Sequence, residues 1–75
     1  MRVPKKNIIG KHLAQIRIRK RLTQDQLSAK LARLGCQIDR AGISKIETGS
    51  RCVYDYELKA LGEALNTSIS QILGD

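Results

Sequence analysis

Arg40, Ala41, Ser44, Lys45 and Thr48 are the residues of this chain best suited to chemistry, and that chemistry is recognition. They fall on the outward side of a short segment whose Ile43 and Ile46 point inward at i, i+3 spacing. Small, polar and basic groups on one face suit hydrogen bonding and charge pairing with a polar partner. Bond-breaking chemistry has no comparable set. His12 is the single histidine, with no carboxylate at helical spacing and no nucleophile beside it. No glycine-rich phosphate loop occurs, and no carboxylate cluster could hold a metal. Neither catalysis nor a cofactor is expected.

Charge narrows the partner. The chain carries 14 Lys and Arg against 7 Asp and Glu, a net charge of +7. All the basic residues except Lys59 lie in residues 1–51, where the only acids are Asp25, Asp39 and Glu47. A basic body with a weakly acidic tail is the footprint of a phosphate-backbone binder, because each neutralised phosphate releases condensed counterions. A merely solvated basic surface is the bland reading of the same numbers. With 75 residues there is room for one domain, and a chain this short buries only about 60% of the surface its unfolded form exposes. Without Trp or Phe, Leu and Ile must fill the core, so self-association would help stability.

Five helices must position the polar face. Ile9, Leu13 and Ile16 form the stripe of a first helix over about 7–20, with Arg17, Arg19, Lys20 and Arg21 near its end. Thr23 and Gln26 make a capping box for a second helix over 24–35, whose inward stripe is Leu27, Leu31 and Leu34 and whose stop is Gly35. Asp39 caps the third, 40–48, which Gly49 closes. Leu58, Leu61 and Leu65 mark a fourth over 54–65, in which Gly62 signals close packing or simple tolerance. Ser68 or Thr67 caps a last turn at 69–73. Two short capped helices followed by a polar face read as a helix-turn-helix, an arrangement that places its second helix in a DNA major groove.

The chain resembles the phage-repressor type of helix-turn-helix, the Cro and lambda-repressor-like domain of the XRE family. The resemblance rests on Gly10, Leu13 and Arg17, on Leu22-Thr23-Gln24 with Leu27, on Ile43-Ser44-Lys45-Ile46-Glu47-Thr48-Gly49, and on Leu58, Leu61 and Leu65. It covers about residues 8–73. The distance from Leu27 to Ile43 is about five residues longer than the usual pattern, which implies a second helix extended by about a turn. Ser28 stands where the family usually has Ala.

The resemblance implies an all-α, five-helix lambda-repressor-like bundle with a set of roles. Gln24, first in helix 2, would bond a backbone phosphate beside that helix's free amides. Arg40, Ala41, Ser44 and Lys45 would meet base edges, Arg40 foremost, since arginine reaches guanine O6 and N7 bidentately. Thr48, Ser50 and Arg51 would clamp the next phosphates, helped by the exposed amides around Gly49. Arg17 and Glu47 would pair as architecture. Lys5, Lys6 and Lys11 read as generic attraction, with an N-terminal arm reaching the DNA as the minority reading.

The expected function is sequence-specific binding of double-stranded operator DNA by a homodimer that regulates transcription, most simply as a repressor. Tyr54, Tyr56 and Leu73 are the expected dimer surface. Two further readings stay open: an antitoxin that also neutralises a toxin partner, and a protein-interaction module that never meets DNA. No run approaches the roughly 20 apolar residues of a membrane span, so a soluble, cytoplasmic protein is expected. Cys36 and Cys52 lack the spacing of a redox or chelating pair and suit a reducing compartment as thiols, although sequence leaves a disulfide open.

Overall fold

A computed structural model describes residues 6–74, with side chains described from residue 8. The described residues form α1 (Lys6–Arg19), α2 (Gln24–Arg33), α3 (Arg40–Glu47), α4 (Asp55–Leu65) and α5 (Ile69–Leu73). The architecture is all-α, a five-helix helix-turn-helix bundle. α1 packs on α3 and α5, α2 on α3 and α4, and α4 on α5.

Local chemistry explains the helix boundaries. The Thr23 hydroxyl accepts from the Gln26 amide at 3.0 Å while the Gln26 side chain accepts from the Thr23 amide at 2.8 Å, which satisfies two N-terminal donors of α2 and its cap. Asp39 accepts from the Gly42 amide at 2.7 Å and so starts α3. Ser68 caps α5 through the Gln71 amide. α4 is built differently. Its N-cap, Tyr54, contributes no side-chain cap, and the Glu57 carboxylate reaches back to the Tyr54 amide at 3.0 Å.

Ile9, Leu13, Leu27, Leu31, Ile43, Ile46, Val53, Leu61, Leu65 and Ile72 are sealed in one core. Each such side chain contributes about 1.5–3 kcal/mol relative to exposure. Gly10 lets α1 come close enough to reach that core, since a Cβ there would sit 2.1 Å from the Ile46 carbonyl oxygen. Gly62 is likewise a close-packing glycine, with the carbonyl of Thr67 folded back over it.

The connection from α2 to α3 differs from expectation. α2 ends at Arg33, two residues short of the expected 35, and Leu34 and Gly35 form a turn, with Gly35 at φ +81°. Leu34 therefore leaves the buried stripe and is 46% exposed. The next residues supply what it does not: Cys36 and Ile38 are buried, and Ile38 is held by the Ser28 hydroxyl, which donates to its carbonyl at 2.7 Å. Helix to Arg33 and this tethered strap from Leu34 to Asp39 together take up the long spacing from Leu27 to Ile43. The two cysteines are both thiols. Among the described residues no helix is long and apolar enough to cross a membrane.

Candidate nucleic-acid interface

α3 is clamped from behind. Ile43 and Ile46 are fully buried, so the helix cannot turn about its axis without exposing them, and Arg40, Ala41 and Lys45 on the other side are exposed, with Ser44 half-exposed. A second clamp is electrostatic. Arg17 donates from Nε to Glu47 Oε2 at 2.6 Å and from Nη2 to Oε1 at 3.2 Å, and Gln24 Nε2 donates to the same Oε1 at 3.0 Å. Arg17 Nη1 also donates to the Leu22 carbonyl at 2.7 Å. One carboxylate thus ties α1, the start of α2 and the end of α3. With side chains only 13% and 8% exposed, Arg17 and Glu47 are shielded from the screening that weakens surface pairs.

Gln24 belongs to this network as well as to the exposed end of α2. Its amide nitrogen has a second hydrogen beyond the one given to Glu47. Among the described residues no protein acceptor takes the backbone N–H of Gln24 or Asp25, so the first turn of α2 presents two donors with the positive end of the helix dipole.

The end of α3 corrects one expectation. Gly49 is buried and its amide donates to the Ile46 carbonyl at 3.1 Å, while the amides of Ser50 and Arg51 both donate to the Lys45 carbonyl, at 2.9 and 3.2 Å. Those N–H groups close the helix and are not offered outward. What remains outward are two exposed hydroxyls. Thr48 and Ser50 lie 3.0 Å apart, and each also donates to the Lys45 carbonyl at 3.2 Å. That oxygen has two lone pairs and already accepts two amides, so the hydroxyls can turn to another acceptor at small cost.

Arg51 has a structural partner that the sequence did not show. Its Nη1 donates to Glu57 Oε1 at 3.0 Å and to the Cys52 carbonyl at 2.9 Å, and its Nη2 donates to Glu57 Oε2 at 2.8 Å. Three of the five N–H donors of the fork are thus used, two of them on a carboxylate with 4% side-chain exposure, so Arg51 locks the α3–α4 connection to α4 while its own side chain stays 30% exposed. Burial pushes the Glu57 carboxyl up, but the Arg51 and Tyr54 hydrogen bonds and the Arg51 charge outweigh it and hold the group below the usual carboxylate range. The hydrogen bond to Glu57 in turn raises Arg51. Burial, with the nearby Glu57 charge, raises the Cys36 thiol and keeps it protonated and inert. Sequence reasoning missed Glu57. Its signal was position: a glutamate three residues after the N-cap of α4, where a capping-box carboxylate stands.

Arg40 opens α3 with 68% of its side chain exposed, and its Nε lies 3.9 Å from Asp25 Oδ1 at the start of α2. The first turn of α2 thus lies along α3, with Gln24 bonded to Glu47 at its C-terminal end and Asp25 3.9 Å from Arg40 at its start, while Ala41, Ser44 and Lys45 follow along the outward side of α3 and Thr48 and Ser50 stand just past it. His12 lies elsewhere, half-buried, with Nδ1 3.1 Å from the Ile72 carbonyl, where it joins α1 to α5. The N-terminal arm, Lys5 included, lies outside the described residues. Among the described residues no group of three His, Cys, Asp or Glu could hold a metal ion.

A clamped second helix whose polar face projects from two short capped helices is the geometry of groove reading. Residues 13–72 match the family model described as helix-turn-helix. No individual curated protein matches the chain. The match spans the second half of α1, all of α2, α3 and α4 and most of α5, and on it the chain belongs to the XRE, Cro-like family of helix-turn-helix domains, which are DNA-binding regulators of transcription.

Proposed function

We propose that the protein reads a specific duplex sequence through α3 and represses transcription by occupying the promoter. The observation that carries this is the fixed rotation of α3. With Ile43 and Ile46 sealed in the core, Arg40, Ala41, Ser44 and Lys45 form the only face the helix can offer. Arg40 takes a guanine through O6 and N7. Ala41 and Ser44, being small, admit a close approach and contact with a thymine methyl, and Lys45 reaches a base edge one turn further along. Phosphate contacts fall to Gln24 with the free amides of α2 and to the Thr48 and Ser50 hydroxyls, which set register and carry no sequence information.

A single eight-residue helix reads only a few base pairs, so a symmetric pair of domains on a two-fold operator is the natural assembly. The surface for that pairing is the exposed, stacked Tyr54 and Tyr56, with ring centroids 6.1 Å apart, and the half-buried Leu73. Occlusion of the promoter then needs no further surface than the one that binds.

The test is a fluorescence-anisotropy titration of the protein and of Arg40→Ala against its own upstream DNA and a scrambled duplex, at several salt concentrations, with stoichiometry read from light scattering. Preference for the upstream duplex, reduced in the variant by about 1–3 kcal/mol, is expected. Equal and steeply salt-dependent binding of both duplexes would overturn base readout. A strictly monomeric protein, free and on DNA, would overturn the paired assembly.

A further inference from the structure

We infer that Asp25 is a positioning residue for base readout: it holds the Arg40 guanidinium by its Nε edge, so that the two terminal nitrogens meet the guanine end-on. The inference rests on the reading of α3 as the groove helix.

Three acidic residues stand in the basic body of the chain, and two have evident work. Glu47 ties Arg17 and Gln24 together, and Asp39 caps α3. Asp25 does neither. It is exposed on the first turn of α2, and the cation it approaches is Arg40, through Nε at 3.9 Å. A carboxylate on a face that meets a polyanion weakens binding through like-charge repulsion, so its presence there asks for a compensating role. Geometry provides one. A guanidinium has five donors in a rigid planar fork, and guanine needs two of them. Among the described residues no protein acceptor takes a hydrogen bond from the Arg40 terminal nitrogens, so a partner at Nε leaves that pair for the base.

An arginine without a partner samples many rotamers and loses that freedom on docking, which erodes the discrimination its fork could give. In solvent the Asp25 contact is weak. In a groove that expels water, the same contact strengthens just when orientation matters. The ordinary role of an acid in a helix's first turn, favourable interaction with the dipole, predicts something else: a stability effect indifferent to Arg40.

The experiment starts by selecting binding sites from a randomised duplex library with the wild-type protein. Anisotropy is then measured for the wild type, Asp25→Asn, Arg40→Ala and the double variant. Three duplexes serve as probes: the best selected one, the same duplex with 7-deazaguanine at the guanine where Arg40→Ala relaxes preference, and a scrambled control. Asp25→Asn should reduce the preference for guanine over 7-deazaguanine by at least about threefold, while binding the scrambled duplex more tightly because one repulsive charge is gone. In the Arg40→Ala background the same change should leave preference unaltered. Full retention of preference in Asp25→Asn, or an equal loss in both backgrounds, would overturn the positioning role and leave base readout intact. An Arg40→Ala protein that prefers the selected duplex as strongly as wild type at every guanine would remove the base-reading role of Arg40 itself, and this inference with it.

Discussion

Arg40 and Arg51 flank the same short helix and meet opposite fates. Arg51 gives both terminal nitrogens to Glu57, a carboxylate of 4% side-chain exposure, and keeps 30% exposure of its own side chain. Arg40 touches Asp25 only through Nε at 3.9 Å, and both side chains are more than two-thirds exposed. The difference lies in the partner's burial, not in the arginine. A desolvated carboxylate must keep its cation, because losing it leaves a buried charge without compensation. A solvated one can share its cation with DNA. Basic charge counted along the chain is therefore a poor guide to DNA contacts until each cation's partner is known.

The largest effect should come from cutting the buried pair. Arg51→Ala strands Glu57 and should cost about 3 kcal/mol of unfolding free energy, the lower end for breaking a buried pair because Arg51 is partly solvated. Urea unfolding measures it. Arg40→Ala, by contrast, should leave stability within about 0.5 kcal/mol while base preference falls. An Arg51→Ala protein as stable as wild type but uniformly weaker on all duplexes would erase the contrast and make phosphate contact the main role of Arg51.

Acid sharpens the same contrast. The folded state holds the Glu57 carboxyl below its ordinary value, so its contribution is fully present above the unfolded pKa of about 4.3 and is lost as pH falls through the lower folded value. Glu57→Gln should lower stability at neutral pH by about 2 kcal/mol, since the amide keeps part of the hydrogen bonding but not the charge. It should also flatten the acid branch of stability below about pH 4. Equal acid branches in wild type and Glu57→Gln would mean that the Arg51 pair carries no charge-dependent stability.

How much could be read without the structure follows from the range of each interaction. The Thr23–Gln26 box, the Asp39 cap and the inward Ile43 and Ile46 depend on neighbours within four residues, and composition and spacing reveal them. The resemblance, not the spacing, joined Arg17 to Glu47 across thirty residues. The pairing of Arg51 with Glu57 was missed because the two lie six residues apart, across a turn and with Glu57 inside another helix, where no helical or strand period relates them. Leu34 was misread because a leucine stripe continues on paper past the point where the backbone leaves the helix, and Gly35 fixes the turn only to within a residue or two. Asp25 and Arg40 are fifteen residues apart and meet only because α3 packs alongside α2.

The smallest effect concerns what keeps Arg40 near Asp25. The Ser28 hydroxyl holds the Ile38 carbonyl at 2.7 Å, and Ile38 directly precedes the Asp39 cap and Arg40. Removing that bond by Ser28→Ala should cost about 1 kcal/mol of stability, the usual worth of one hydrogen bond. Its more telling consequence is on DNA. A looser strap lets the start of α3 drift relative to α2, which lengthens an Arg40–Asp25 contact already near the limit of an ion pair, while the Arg17–Glu47–Gln24 clamp at the other end of α3 is untouched. Preference for the selected duplex should therefore fall by roughly twofold, with nonspecific affinity and its salt dependence unchanged. If stability drops and preference does not, the α3 N-terminus is held by its buried Ile43 and its Asp39 cap alone. The strap would then serve the core and leave Arg40 to orient itself.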